Sequence, residues 1–64
     1  MDLIKIGKYI AEKRKALGLT QKQLAEKLNM SDKSVSKWER GICLPDVSIY
    51  MELCSILRIS INEF

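Results

Sequence analysis

The sequence predicts an all-α domain, and three observations support this. Apolar residues make up 47% of the 64 residues and charged residues 30%, with only three glycines and one proline, a composition typical of a globular helical protein. Apolar residues recur at helical spacing along the chain. Ser, Thr or Asp precedes each of five such segments, where a helix start requires a capping side chain. A chain this short forms one domain only, near the lower limit for a core that folds unaided.

The first helix is expected to begin after Asp2, which can cap it, and to run to about Leu17. Its inner face consists of apolar residues with one arginine among them: Leu3, Ile6, Ile10, Arg14 and Leu17. Gly18 and Leu19 match the left-handed residue and the apolar residue that follow many helix ends. Gly7 weakens the helix interior by about 1 kcal/mol, and its lack of a side chain allows a neighbouring element to approach closely.

Residues 20–41 are interpreted as two short helices joined by a tight turn, around which the rest of the chain is organised. Thr20 and Gln23 form a capping box at the start of the first of these helices. Its buried face consists of two leucines and a small residue: Leu24, Ala25 and Leu28. Asn29 stands where the turn requires a positive φ, which asparagine tolerates better than other non-glycine residues.

Ser31 is expected to cap the second helix of the pair, whose apolar face is Val35 and Trp38 and which ends at Gly41. The small Ala25 lets the two helices cross closely. An ordinary helical hairpin would also explain the caps and apolar faces. The combination of Ala25, the turn and a polar, basic outer side favours a helix presented to the major groove of DNA.

The segment resembles the helix-turn-helix of the phage-repressor-like (lambda repressor and Cro-like) family. The matching residues are Gln21, Leu24, Ala25, Leu28, Val35, Trp38, Glu39 and Gly41, and the resemblance extends from about Ile6 to Phe64. It implies a compact five-helix lambda-repressor-like DNA-binding domain over residues 1–64, with the helix-turn-helix at helices 2 and 3. Such a domain is either a whole protein or the N-terminal part of a longer regulator.

A fourth helix is expected after Pro45, capped by Asp46 and reaching about Leu57. Its core residues are spaced at helical intervals: Tyr50, Leu53, Cys54 and Leu57. Ser60 and Glu63 form a second capping box that opens a fifth helix, with Ile61 and Phe64 facing inward. Because this helix has barely one turn, we expect that a longer native chain continues or that a partner covers the end.

The charge is unevenly distributed along the chain. Residues 1–41 hold ten of the eleven Lys and Arg and five of the eight acids, a net charge of +5, whereas residues 42–64 carry −2. A basic half beside an acidic half is consistent with a polyanion bound on one side. An ordinary solvated basic surface would give the same count, so the charge supports the interpretation without establishing it.

The sequence argues against an enzyme, a metal protein and a membrane protein. It has no histidine, no glycine-rich phosphate loop and no paired carboxylates, so we expect no catalysis and no cofactor. Cys43 and Cys54 are interpreted as a loop thiol and a small buried residue, without a disulfide. No run approaches the ~20 apolar residues of a membrane span, and Lys5 and Lys8 interrupt any signal-peptide pattern. The expected location is the cytoplasm.

Helix geometry and the resemblance together assign the DNA contacts of the recognition helix, residues 31–40. The base-facing candidates lie on its exposed side: Asp32, Lys33, Ser36 and Lys37. Lysines donate to guanine O6 or N7, and a carboxylate accepts from cytosine N4. The phosphate-contacting candidates are Gln21, Lys22 and Arg40. Asp32 departs from the glutamine more familiar in the family, and serves base discrimination or simply favours the helix N-terminus.

The resemblance also implies a structural ion pair between Arg14 and Glu39, tying the first helix to the end of the recognition helix. A guanidinium can hold a carboxylate bidentately, which fixes orientation as well as distance. The alternative is an arginine that extends along the apolar face and keeps its charge in water.

These observations predict a sequence-specific DNA-binding regulator of a bacterium or phage, acting as a homodimer on a two-fold operator. A protein-interaction module, such as an antitoxin-type partner, is the alternative. Ile49, Met51 and Ile56 are expected to be exposed and available either for the dimer or for such a partner.

Overall fold

A computed structural model describes residues 2–59 and places four α-helices in them. The helices are α1 (Leu3–Ala16), α2 (Gln21–Lys27), α3 (Asp32–Glu39) and α4 (Val47–Leu57). The described part of the chain is therefore all-α, as the sequence predicts. The predicted fifth helix, with its capping box at Ser60 and Glu63, falls on residues outside the described range.

The predicted caps begin all four helices. Asp2 accepts hydrogen bonds from the backbone N–H groups of α1, and Ser31 accepts one from α3. Thr20 and Gln23 form both bonds of the capping box, at 3.0 and 2.9 Å. Asp46 caps α4, and the bond from the N–H of Ile49, together with that from the Ser48 hydroxyl, lowers the pKa of its carboxyl. Local sequence signals are thus sufficient to place the helix starts.

Each helix is followed, within two residues of its end, by a residue with positive φ. These residues are Gly18, Asn29, Gly41 and Arg58, with φ between 57° and 75°. In every case the N–H of the next residue bonds to a carbonyl of the last helical turn, at 2.9–3.1 Å, which satisfies backbone groups that the helix leaves free. The predicted turn at Asn29 is confirmed. Arg58 is the exception to the expectation that glycine or asparagine occupies such a position.

The core lies where α3 packs against α1 and α2, and where α4 packs against α1. Its buried apolar residues are Ile6, Ile10, Leu24, Ala25, Leu28, Val35, Trp38, Leu53, Cys54, Leu57 and Ile59. The predicted inner faces of α2 and α3 are confirmed. Leu17 was expected in the core but is 39% exposed, because it caps the C-terminus of α1 instead of continuing its inner face.

The exposed apolar surface of α4 differs from the prediction. Ile49 and Ile56 are partly buried and pack against the core, so the expectation that they are exposed is wrong. Met51 is 59% exposed, as expected, and Val47, one helical turn earlier, is 74% exposed. The prediction failed because the rotation of α4 about its axis is set by its packing against the rest of the core, which its own spacing leaves undetermined.

Gly7 brings α1 against the end of α3. A Cβ atom added at Gly7 would lie 2.5 Å from the carbonyl oxygens of both Trp38 and Glu39. Real Cβ atoms do not approach backbone oxygens so closely, so only glycine permits this packing. The close approach of a neighbouring element that Gly7 was expected to allow is therefore present. It fixes the position of the end of α3 relative to α1.

Candidate nucleic-acid interface

The two sides of α3 have opposite character. Val35 and Trp38 are buried against α1 and α2. Lys33, Lys37 and Arg40 follow one another at spacings of four and three, so they lie together on the side turned away from the core. All three are exposed. The helix therefore presents a narrow row of positive charge to solvent while its other side holds it in the core.

The first turn of α3 is polar and locally ordered. The hydroxyl of Ser31 accepts the N–H of Ser34 at 3.3 Å and lies 3.2 Å from the Ser34 hydroxyl. Asp32 is exposed at the first position of the helix, where the helix dipole favours a negative side chain. Ser36 is half-buried one turn later. Asp32 and Ser36 thus lie beside the row of cations, on its flank.

Arg14 and Glu39 form a nearly dry, bidentate pair. Arg14 donates from Nε to Glu39 Oε2 at 2.6 Å and from Nη2 to Oε1 at 3.1 Å. The two side chains are only 10% and 7% exposed. Arg14 Nη1 also donates to the carbonyl of Leu19 at 2.7 Å. The pair thus joins α1, the loop before α2 and the last residue of α3. The predicted ion pair is therefore present, and the alternative of an arginine whose guanidinium group is in water is not observed.

Gln21 has a partner that sequence reasoning missed. Its amide Nε2 donates to Glu39 Oε1 at 3.0 Å, so the first residue of α2 is held against the last residue of α3. The only sequence signal was indirect: a carboxylate buried by folding has two oxygens to satisfy, more than one guanidinium usually saturates. Lys22, the next residue, is exposed and takes no part in the contacts among Arg14, Gln21 and Glu39.

The described residues can also be compared with the requirements of a metal site and of a membrane-spanning helix. Within residues 2–59, no three Cys, Asp or Glu side chains come together as a metal site would require. Cys43 is an exposed thiol, whereas Cys54 is buried and its pKa is raised by that burial. Over the same range, every helix is too short or too polar to span a bilayer.

A sequence profile of the family described as "Helix-turn-helix" matches residues 10–64. The match includes α2, the Asn29 turn, α3 and α4, together with the part of α1 that carries Arg14. The chain belongs to the helix-turn-helix family.

Three curated proteins are similar to most of this chain. They are the transcriptional regulator ImmR of Bacillus subtilis, 36% identical over 55 residues, the cryptic phage CTXphi transcriptional repressor RstR of Vibrio cholerae, 37% over 60, and the transcriptional regulator DicA of Escherichia coli, 42% over 55. These alignments cover 86%, 94% and 86% of this chain. The chain spans about half the length of these relatives, at 43%, 54% and 41%.

Two solved structures have the same helix-turn-helix fold. The restriction-modification controller protein C.AhdI of Aeromonas hydrophila superimposes with a TM-score of 0.83 at 32% identity, covering 92% of this chain and 86% of its own. The clp gene regulator ClgR of C. glutamicum gives 0.86 at 24% identity, covering 98% and 81%. At the lower identity the likeness concerns the fold alone. The helices α1 to α4 therefore have the arrangement seen in both solved structures.

Proposed function

We propose that this chain is the DNA-binding domain of a transcriptional regulator from a bacterium or phage. The observation that carries the proposal is α3, a short helix with Val35 and Trp38 buried and three cations on its outer side. The major groove of B-DNA is wide enough to admit such a helix. Membership of the helix-turn-helix family and the names of the three curated relatives, each a transcriptional regulator or repressor, support this function.

In the proposed complex α3 lies in the major groove and α2 lies across the backbone. Lys33 and Lys37 donate to guanine edges, while Asp32 and Ser36 reach bases from the flank of the row. Gln21, Lys22 and Arg40 contact phosphates and set the register without reading sequence. Binding alone then acts on transcription, by occluding a promoter or recruiting polymerase, and no bond is made or broken.

Replacing Lys33 or Lys37 with alanine is expected to weaken binding to the best duplex by about 1–3 kcal/mol and to relax its sequence preference. Gln21→Ala should weaken selected and random duplexes by the same factor, because a phosphate contact carries no sequence information. The measurement is competitive binding against a randomised duplex pool at fixed salt.

Lys27→Ala is the matched control, since it removes the same charge from a residue that lines a groove with Leu17, Ile56 and Arg58 instead of lying on α3. We expect it to leave the sequence preference unchanged. If Lys33→Ala and Lys37→Ala weaken all duplexes equally, both lysines belong to the backbone contacts and their assignment to bases is wrong.

The regulator is further proposed to act as a homodimer on a two-fold operator. One recognition helix reads only a few base pairs, and dimers place two such helices about one helical turn apart. The exposed pair Val47 and Met51 on α4, with exposed Ile42 in the preceding loop, offers apolar surface in the half of the chain that carries little positive charge. A self-complementary contact suits such a surface.

Free in solution, the 64 residues are expected to sediment as a monomer or a weak dimer, because the exposed apolar surface is small. On DNA, inserting five base pairs between half-sites turns one of them to the opposite side of the duplex. We expect this insertion to reduce affinity by about a hundredfold or more, as cooperative binding is lost. A ten-base-pair insertion is the control, because it returns both half-sites to the same side of the duplex. An operator with the five-base-pair insertion that binds as tightly as the original would mean that each copy binds alone.

A further inference from the structure

Arg14, Gln21 and Glu39 form one hydrogen-bonded network at the junction of three helices. Glu39 Oε1 accepts from both Arg14 Nη2 and Gln21 Nε2, at 3.1 and 3.0 Å, while Oε2 accepts from Arg14 Nε. Arg14 uses its remaining terminal nitrogen on the carbonyl of Leu19. The carboxylate is therefore shared between an arginine that holds the fold and a glutamine that begins α2.

The carboxylate determines which way the Gln21 amide points. An ionised carboxylate only accepts hydrogen bonds, so the amide must present nitrogen to it and not oxygen. The amide nitrogen has two hydrogens, and Glu39 takes one of them. The other N–H is directed away from Glu39, and Gln21 as a whole is half-buried.

We propose that Glu39 is a positioning residue for DNA binding: it holds the Gln21 amide so that its second N–H faces a backbone phosphate. This inference rests on the proposed function and deepens it. A phosphate is an anion and requires a donor; an unanchored amide could equally present its oxygen, which an anion repels. Fixing the rotamer before binding also removes part of the entropy lost when the contact forms.

The neighbouring glutamine provides a contrast within the same turn. Gln23 uses its Oε1 to accept the N–H of Thr20 at 2.9 Å, so its amide is held by a cap of its own helix. Gln21 and Gln23 are the chain's only glutamines. Their two side-chain NH₂ groups can therefore be assigned by single substitutions and followed separately by NMR.

The test combines two substitutions with backbone-modified duplexes. Each phosphate of a half-site is replaced in turn with a neutral methylphosphonate. The phosphate that Gln21 contacts is the one whose replacement weakens binding of the wild-type chain but not of Gln21→Ala. Glu39→Gln, which keeps the size of the side chain but not its charge, should lose sensitivity at that same position. It should weaken binding to selected and random duplexes alike by about tenfold, the scale of one hydrogen bond to a charged group. Adding Gln21→Ala should then produce no further loss.

Arg14→Lys separates positioning from stability. This variant loses the bidentate hydrogen bonds to Glu39, so its melting temperature should be lower. The Glu39 carboxylate is still present to bind the Gln21 amide. We expect it to retain sensitivity to the critical phosphate. If Arg14→Lys lost that sensitivity as Glu39→Gln does, or if Glu39→Gln and Gln21→Ala weakened binding additively by about a hundredfold, the positioning role would be overturned.

A measurement on the unsubstituted chain covers the case in which Glu39→Gln fails to fold. In the free protein, the Gln21 NH₂ proton that is bonded to Glu39 should exchange with solvent more slowly than the other one, and only the unprotected proton should shift when duplex is added. Both Gln23 protons should stay unchanged. Two Gln21 NH₂ protons that exchange with solvent as fast as each other would overturn the inference alone, whereas a chain that bound no duplex would overturn the proposed function as well.

Discussion

Arg14→Ala is expected to leave the chain largely unfolded at 25 °C. The substitution strands Glu39, whose side chain is 7% exposed, without its guanidinium partner. Breaking a buried pair by removing one member costs about 3–5 kcal/mol. A domain of this size has a total stability of roughly 3–10 kcal/mol, from ~0.05–0.15 kcal/mol per residue. Glu39→Ala should be similarly damaging, because it strands Arg14 and removes the acceptor of Gln21.

Replacing both partners with methionine tests the pair directly. An apolar pair of similar size often restores stability, since no buried charge remains. Recovery should be incomplete here, because the amide of Gln21 and the carbonyl of Leu19 each lose a partner as well. Chemical denaturation followed by circular dichroism, in a stabilising osmolyte where the single variants are unfolded, gives the coupling energy. We expect at least ~2 kcal/mol of coupling; a value near zero would favour a solvated arginine.

Gly7→Ala is expected to destabilise the chain by about 2 kcal/mol, despite alanine's better helix propensity. The added Cβ would lie 2.5 Å from the carbonyl oxygens of Trp38 and Glu39, and backbone cannot rotate away as a flexible side chain can. Overpacking costs about 1–3 kcal/mol, and the upper end applies here because two backbone oxygens are met at once, against about 1 kcal/mol gained in propensity. The melting temperature should fall by about 10 °C.

Gly18→Ala is the matched control for this substitution. At Gly18 no atom lies within 4 Å of an added Cβ, but φ is +72°. Its cost is therefore backbone strain alone, about 1–2 kcal/mol, and α1 should keep its position against α3. Gly7→Ala should also weaken DNA binding, because α1 must move away from the end of α3. A Gly7→Ala chain as stable as wild type would contradict the close packing described for Trp38 and Glu39.

The parts of the fold that the sequence predicted depend on local chemistry. Caps at Asp2, Thr20, Ser31 and Asp46 are set by residues within one turn, and so is the positive φ of Asn29. The same reasoning missed the left-handed conformation of Arg58, because arginine has no intrinsic preference for it. The backbone bond from Ile59 to Cys54 and the burial of Ile59 hold it there instead.

What could not be predicted depends on the relative placement of helices. The partial burial of Ile49 and Ile56 follows from how α4 rotates against the core. The contact between Gln21 and Glu39 joins residues 18 apart and has no local signal. For the outer side of α3, periodicity sufficed to predict that Lys33 and Lys37 face solvent. The DNA roles of these residues remain predictions.

Whether α3 reads DNA sequence can be measured by comparing duplexes over a range of salt concentrations. The unsubstituted chain is titrated with a duplex selected from a random pool and with scrambled duplexes, at several salt concentrations. We predict that the selected duplex binds at least about a thousandfold tighter than the scrambled ones. The logarithm of each affinity should fall linearly with the logarithm of salt concentration, as phosphate contacts release counterions. Equal affinity for selected and scrambled duplexes at every salt concentration would contradict the account.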